Sequence, residues 1–267
     1  MLSVRRVTLI GAGNVATHLG NALNNAGINV EQVYSKTIQK ANKLAGQLNS
    51  NATDDLTQIH TNTDVIFLLV KDTMMMEVLG RFNTGNAILV HASGSVEMEV
   101  LKPYAAKYGV FYPLQTFSSE RKLQFDNIPL CIEASNEENT ESLLGLARQL
   151  SKDVRQLNSK QRLIVHIAAV FACNFTNYMY AIAEELLKKY ELPYDILHPL
   201  IMETSEKGSM MSPALVQTGP AFRNDQEIIK KHMDLLKDDQ KISVIYNIIS
   251  ELIMKRHTLF DKSGNKS

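Results

Sequence analysis

Gly11-Ala12-Gly13-Asn14-Val15-Ala16 has the spacing G-x-G-x-x-A. A glycine first permits a tight turn, and a second removes the Cβ that would hold a pyrophosphate away from the backbone. Ala16 is small enough to let a helix sit close to a strand. The ligand's negative charge would then rest on a helix N-terminus, among N–H groups that have no intrahelical partner. Arg6–Ile10 before the turn reads as a strand, and Asn14–Ala26 after it carries Val15, Leu19, Leu23 and Ala26 at helical steps. That context is what the pattern requires. The spacing predicts dinucleotide binding through Gly11, Gly13, Asn14 and Val15.

A second strand, Gln32–Ser35, ends at Ser35-Lys36-Thr37. An acidic residue there holds a ribose 2′-hydroxyl, whereas a cation suits a 2′-phosphate. Lys36 with Ser35 beside it points to NADP(H); Glu31, the nearest acid, is expected to precede the strand. The other reading of Lys36 is a solvated surface lysine.

Hydride transfer from a nicotinamide to a substrate needs a stabilising hydrogen bond and a proton source beside the cofactor. Val70-Lys71-Asp72, Ala92-Ser93-Gly94 and Pro113-Leu114-Gln115 each follow a strand end, where a nicotinamide would lie. Val70, Ser93 and Gly94 are therefore candidate cofactor contacts. Ser95 either joins them or caps a helix over Glu97–Lys107. Gln115 either orients a substrate carboxylate or amide, or serves only its turn.

Gln161–Tyr190 reads as one long helix that places His166 and Asn174 among apolar residues. Eight residues at about 100° each set them about 80° apart around the axis and about 12 Å along it. His166 either donates a proton or is a hydrogen-bonded core histidine. Asn174 would hydrogen-bond substrate or nicotinamide amide. Arg223, after Gly219-Pro220, either binds a substrate carboxylate or fixes its loop with Asp225. Met74-Met75-Met76 and Met210-Met211 read as adaptable packing. The seven histidines form no ligand spacing, so no metal is expected, and neither a phosphate-loop lysine motif nor a G-x-S-x-G elbow occurs.

These candidates must be positioned by alternating elements. Strand-like runs at Asp64–Val70, Ala87–His91, Gly109–Tyr112 and Pro129–Glu133 alternate with helical stretches near Met74–Phe82 and Glu97–Lys107. Such alternation implies right-handed crossovers and a parallel sheet. Beyond Leu157 no strand pattern appears; Asp195–Glu206, Met211–Thr218, Gln226–Leu236 and Asp239–His257 read as helices. The expectation is an α/β, doubly wound Rossmann sheet over residues 1–158, followed by an all-helical domain over 159–267. The tail Lys262–Ser267 reads as disordered.

The 267 residues carry 28 basic and 28 acidic side chains, a balance that gives no footprint for nucleic acid. No uncharged apolar run is expected to reach the roughly 18–20 residues that cross a bilayer. The opening residues predict no cleaved leader. Cys131 and Cys173 form no CxxC, which suggests a reduced, cytoplasmic protein. Broad apolar stripes after Gln161 predict a homodimer through the helical domain.

GAGNVA and the following SKT resemble pyrroline-5-carboxylate reductase and relatives in the 6-phosphogluconate dehydrogenase superfamily. His91-Ala92-Ser93-Gly94-Ser95, then Tyr112-Pro113-Leu114-Gln115-Thr116-Phe117, then Thr218-Gly219-Pro220 with Arg223 and Asp225, resemble the Rossmann-like plus DUF2520 family. This resemblance covers almost the whole chain. It implies an NADP-linked oxidoreductase with a helical, dimerising second domain. Three departures stand out. Asn224 occupies a position where the motif more often has Gly, and Tyr112 one where His commonly precedes Pro-Leu-Gln. Val170 stands where related β-hydroxyacid dehydrogenases have a catalytic Lys, four residues before Asn174.

The expected function is NADPH-dependent reduction of a small carbonyl or imine compound. The alternatives are a ketopantoate reductase specifically, or a sensor or scaffold that binds NADP(H) without turnover. The substrate is expected between the domains, with Asn174 and the Gln115 loop touching it.

Overall fold

The computed structural model describes residues 4–118, 121 and 123–262. Eight strands form one sheet: β1 (Arg6–Ile10), β2 (Asn29–Tyr34), β3 (Asn51–Thr53), β4 (Val65–Leu68), β5 (Ile88–His91), β6 (Tyr108–Pro113), β7 (Leu130–Ala134) and β8 (Val154–Gln156). Their order is β3-β2-β1-β4-β5-β6-β7-β8. All neighbours are parallel except β6 and β7, which run antiparallel. The order reverses between β1 and β4, the switch point at which open sheets of this kind bind ligands.

Helices cover both faces. α1 (Asn14–Asn25) buries Ala16, Leu19 and Leu23, and α2 (Ile38–Leu48) buries Ala41, Leu44, Ala45 and Leu48, each set at helical spacing. These two and α4 (Glu137–Leu150) share one core with Val7, Leu9, Phe67 and Phe111. On the opposite face α3 (Asp72–Val78) places Met75 and Val78 against Ile66, Leu68, Leu89 and Val110. All four residues of β4 are buried, as a strand covered on both faces requires.

By its contacts the chain divides into two compact units, Met1–Asn174 and Phe175–Ser267. The last strand ends at Gln156, close to the division the sequence suggests. However, α5 (Ser159–Ala169) and the π-helical turn Val170–Phe175 that follows it lie almost wholly within the first unit. The second unit holds α6 (Thr176–Lys189), α7 (His198–Met210), α8 (Gln226–Leu236) and α9 (Gln240–Lys262).

Several expectations are corrected. Glu97–Lys107 is not a helix; only a 3-10 turn forms at Met98–Leu101, just before Pro103, which supplies no N–H to extend it. Met211–Thr218 forms turns instead of a helix; Pro213 interrupts it and Gly219-Pro220 follow it. Glu31 lies inside β2 and not before it. Gln161–Tyr190 is not one regular α-helix, because the π turn interrupts it. The 100° step therefore does not carry through from His166 to Asn174.

From Leu163 to Ala183 no Asp, Glu, Lys or Arg occurs, contrary to the expectation of no long uncharged run. By length and composition Ser159–Lys189 is long and apolar enough to cross a membrane, a test that core helices of soluble proteins also pass. Lys262 is the last residue of α9, so the expected disordered tail begins within a helix, and 263–267 lie outside the described residues.

Candidate active site

The glycine turn follows β1 directly. Gly11 has φ +133°, a left-handed backbone that favours glycine. A Cβ on Gly11 would stand 2.3 Å from the Leu69 carbonyl oxygen, at the end of β4. At Gly13 a Cβ would meet nothing within 4 Å, so the space above the α1 N-terminus is open. Gly13 is the N-cap of α1 and gives no side-chain cap, and the first turn holds no acidic residue. Uncapped N–H groups facing open space suit a pyrophosphate, so the turn fits the dinucleotide that its spacing predicts.

The Asn14 side chain does not cap the helix. Its Nδ2 donates to the Phe117 carbonyl at 3.0 Å. Val15 is half-buried against the sheet core. Ser35-Lys36-Thr37 follow the end of β2, as expected. The Ser35 hydroxyl accepts the Thr37 N–H at 3.3 Å, and Lys36 is exposed.

A polar cluster occupies the C-terminal ends of β4, β5 and β6. Ser93 Oγ donates to Asp72 Oδ2 at 2.8 Å and accepts the N–H groups of Ser95 and Val96, each at 3.1 Å. Ser95 also reaches Asp72, at 3.4 Å, and caps no helix. Val70 packs at the margin of the second core cluster. Below Ser93, fully buried His91 accepts the Ser93 N–H on Nδ1 at 3.1 Å. Burial first, and the charge of Arg162 second, hold the His91 imidazole down to about 4, so the ring is neutral.

The Tyr112 hydroxyl, at the end of β6, is hydrogen-bonded to His166 Nδ1 at 3.1 Å, with the rings edge to face. Burial pushes the Tyr112 hydroxyl up to about 12, which keeps it protonated across the ordinary range. Gly94 lies against this pair. A Cβ there would come within 2.6 Å of His166 Nδ1 and 2.9 Å of the Tyr112 oxygen. The β5 loop therefore brings bare backbone up to a tyrosine–histidine couple.

Arg162 fixes where His166 stands. Its side chain is 1% exposed and forms an ion pair with Glu133 on β7, while Nη2 donates to the Val96 carbonyl at 2.5 Å. Glu133 also accepts the Ser159 N–H at 2.9 Å and the Ser159 hydroxyl at 2.8 Å. Asn158 and Gln161 close a capping box on the same turn. His166 follows Arg162 by four residues and so lies on the same side of α5, one turn along.

The structure thus brings together Ser93, Gly94, His166 and Tyr112. Gln115 stands apart in the following exposed loop, where its Oε1 accepts the Thr116 N–H at 2.8 Å. Asn174 is exposed within the π turn. Arg223 belongs to the second unit and is exposed in a turn closed by its own N–H to the Gly219 carbonyl. Asp225 caps α8 by accepting the Ile228 N–H at 3.2 Å. Asn224 has φ +55°, a left-handed conformation that asparagine tolerates, so the loop keeps a backbone suited to glycine. Met75 is buried, but Met76, Met210 and Met211 are exposed, so packing within the unit accounts for only part of the methionine runs. An apolar cavity of about 460 Å³ lies in the second unit beside His232 and Tyr246, and none of the expected site residues line it.

Tyr112 is the residue that the sequence reading did not assign. Its substitution for the family's histidine was visible, but its partner lies 54 positions away.

Comparison with known proteins places the chain in a family and accords with the fold. The family described as NADP oxidoreductase, coenzyme F420-dependent, matches residues 6–93, and the domain of unknown function DUF2520 matches 128–253. A Bacteroides fragilis protein provisionally described as an NADP oxidoreductase is 41% identical; the alignment covers 95% of this chain and 98% of that one, with a TM-score of 0.88. The chain belongs to this family of Rossmann-plus-DUF2520 NADP oxidoreductases. A pyrroline-5-carboxylate reductase from Coxiella burnetii shares the fold at 14% identity, over 96% of this chain and 98% of that one (TM-score 0.57). An imine reductase from Myxococcus stipitatus, solved with NADP+, does so at 13% identity, over 97% and 95% (TM-score 0.65). No curated protein matches the chain.

Proposed function

We propose that this oxidoreductase reduces a small carbonyl or imine compound with NADPH, and that Tyr112 with His166 supplies the proton. The observation that carries the reading is the 3.1 Å hydrogen bond between these two side chains, against Gly94 at the strand ends. NADPH supplies the hydride when bound; Gly11, Gly13, Asn14 and Val15 would hold its pyrophosphate, and Ser35 with Lys36 its 2′-phosphate. Val70, Ser93 and Gly94 would line its nicotinamide half.

The chain's own residues then manage the proton. With hydrogen on Nδ1, His166 donates to the Tyr112 oxygen and leaves the tyrosine's own hydrogen free to meet substrate. Tyr112 gives that proton to the developing oxyanion or amine nitrogen and takes one from His166 Nδ1, while His166 Nε2 takes up a proton from solvent water and keeps the ring neutral. Asp72 orients Ser93 and so fixes the loop on which Gly94 sits. Asn174 and Arg223 are proposed as substrate contacts, Arg223 for a carboxylate and Asn174 for a hydrogen-bonding group.

The protein acts as a cytoplasmic homodimer in this reading. Ile164, Phe171 and Tyr178 are exposed, as are Leu200, Met202 and Leu252. In the second unit only Ile182, Ala221 and Ile229 are buried hydrophobics among the described residues, which leaves broad apolar faces for another copy to cover. Cys131 and Cys173 are both free thiols, as in a reducing compartment.

An NADPH-oxidation screen over 2-oxo acids, ketopantoate and cyclic imines tests the activity. Turnover of any of these supports it; tight NADPH binding with no turnover of any favours a sensor.

A further inference from the structure

The loop after β6 is tied to the dinucleotide-binding helix at two consecutive residues. Asn14 Nδ2 donates to the Phe117 carbonyl at 3.0 Å, and His18 Nε2 bonds the Ser118 carbonyl at 2.9 Å. The His18 and Phe117 rings lie 5.1 Å apart, and Phe117 stacks in turn on Phe125, which is buried. Asn14 and His18 are four residues apart and share one side of α1. They bond main-chain carbonyls of the loop, and the His18–Phe117 ring contact adds to the tie. In the same loop Gln115 folds its amide onto Thr116 and sets the turn.

This tie joins two places that a single ligand would touch. Asn14 belongs to the glycine turn, and the loop leaves the strand that carries Tyr112. Gln115, Thr116 and Ser118 are exposed. Apart from the Phe117 ring, which packs against the core, the segment is exposed and held by its α1 contacts, and exposed segments of this kind are the ones that order when a neighbouring site fills.

We infer that His18 is a positioning residue that, with Asn14, straps the 115–118 loop to α1, so that NADP(H) binding and ordering of this loop are coupled. The inference rests on NADP(H) occupying the glycine turn. In this inference His18 acts through the loop. Coupling is reciprocal, so loosening the strap must weaken cofactor binding.

Hydrogen exchange of the amides from Gln115 to Ser118, with and without NADPH, reads the coupling, and titration calorimetry reads the affinity. In the wild type NADPH should slow exchange in this loop. In His18→Ala that protection should be lost and NADPH should bind about five- to tenfold more weakly, the factor one ordinary hydrogen bond supplies. His18→Gln keeps a side-chain donor and should recover most of both. Phe117→Leu removes the ring contact with little change of volume and should give an intermediate loss, which keeps the test open if His18→Ala folds poorly. Equal protection and affinity in all four proteins would overturn the strap while leaving NADPH binding intact. Failure of the wild type itself to bind NADPH would instead overturn the cofactor reading on which the strap rests.

Discussion

The Tyr112 hydroxyl and His166 Nδ1 stand 3.1 Å apart across 54 residues of sequence, one at the end of β6 and one on α5. Glu133 and Arg162 fix that distance, since they pin the first turn of α5 to β7. Removing either side chain at the pair should release the proton donor without disturbing the glycine turn.

Gly94→Ala tests how closely the loop approaches the pair. The added methyl would sit 2.6 Å from His166 Nδ1, inside any real contact distance. The ring must move, and kcat should fall by about 10-fold or more, equivalent to about 1.4 kcal/mol. NADPH affinity measured by calorimetry should fall as well, because Gly94 also stands where the nicotinamide half would lie.

Glu133→Ala should leave the Arg162 guanidinium buried without its partner. Loss of one member of such a pair costs about 3–5 kcal/mol. Chemical denaturation should therefore show a clearly lower midpoint. Deleting the exposed Asp153–Arg155 pair, by contrast, should change stability by at most about 1 kcal/mol.

Acid should destabilise the first unit through His91. Its folded value is depressed to about 4 from 6.5, so below 6.5 the unfolded chain binds a proton that the folded chain refuses. Stability is therefore lost as pH falls from about 6.5 toward 4, amounting to about 2 kcal/mol at pH 5. Thermal unfolding at pH 7 and pH 5 should show a drop that shrinks in His91→Asn. An equal drop in both proteins would remove His91 as its cause.

Lys36 is proposed to carry the cofactor preference. Lys36→Glu should weaken NADPH binding at least about 10-fold while leaving NADH nearly unchanged, because only the 2′-phosphate is repelled. Unaltered NADPH affinity would mean that Lys36 is simply solvated.

Much of the sheet was legible because β1, β4, β5 and β7 are apolar runs bounded by turn residues, and the glycine turn announced its own strand and helix. β3 and β8 were not, since three residues carry too little periodicity to register. The expected helix at Glu97–Lys107 ignored Pro103, and the expected regular helix through Asn174 met a π turn that no local pattern signals. At the site, Ser93, Gly94 and His166 were named from sequence, and the structure places them together. Tyr112 escaped because a tyrosine at a strand end is ordinary until its partner is known. The Arg162–Glu133 pair escaped for the same reason: buried ion pairs are set by tertiary packing.

The central claim is that Tyr112 delivers the proton. Its most direct test is steady-state NADPH oxidation by wild type and Tyr112→Phe on whichever carbonyl or imine substrate the screen finds, with NADPH affinity measured in parallel. The account predicts that kcat/KM falls by about 10- to 100-fold, or about 1.4–2.7 kcal/mol, with NADPH affinity within about twofold. Wild-type kcat/KM in Tyr112→Phe would contradict it.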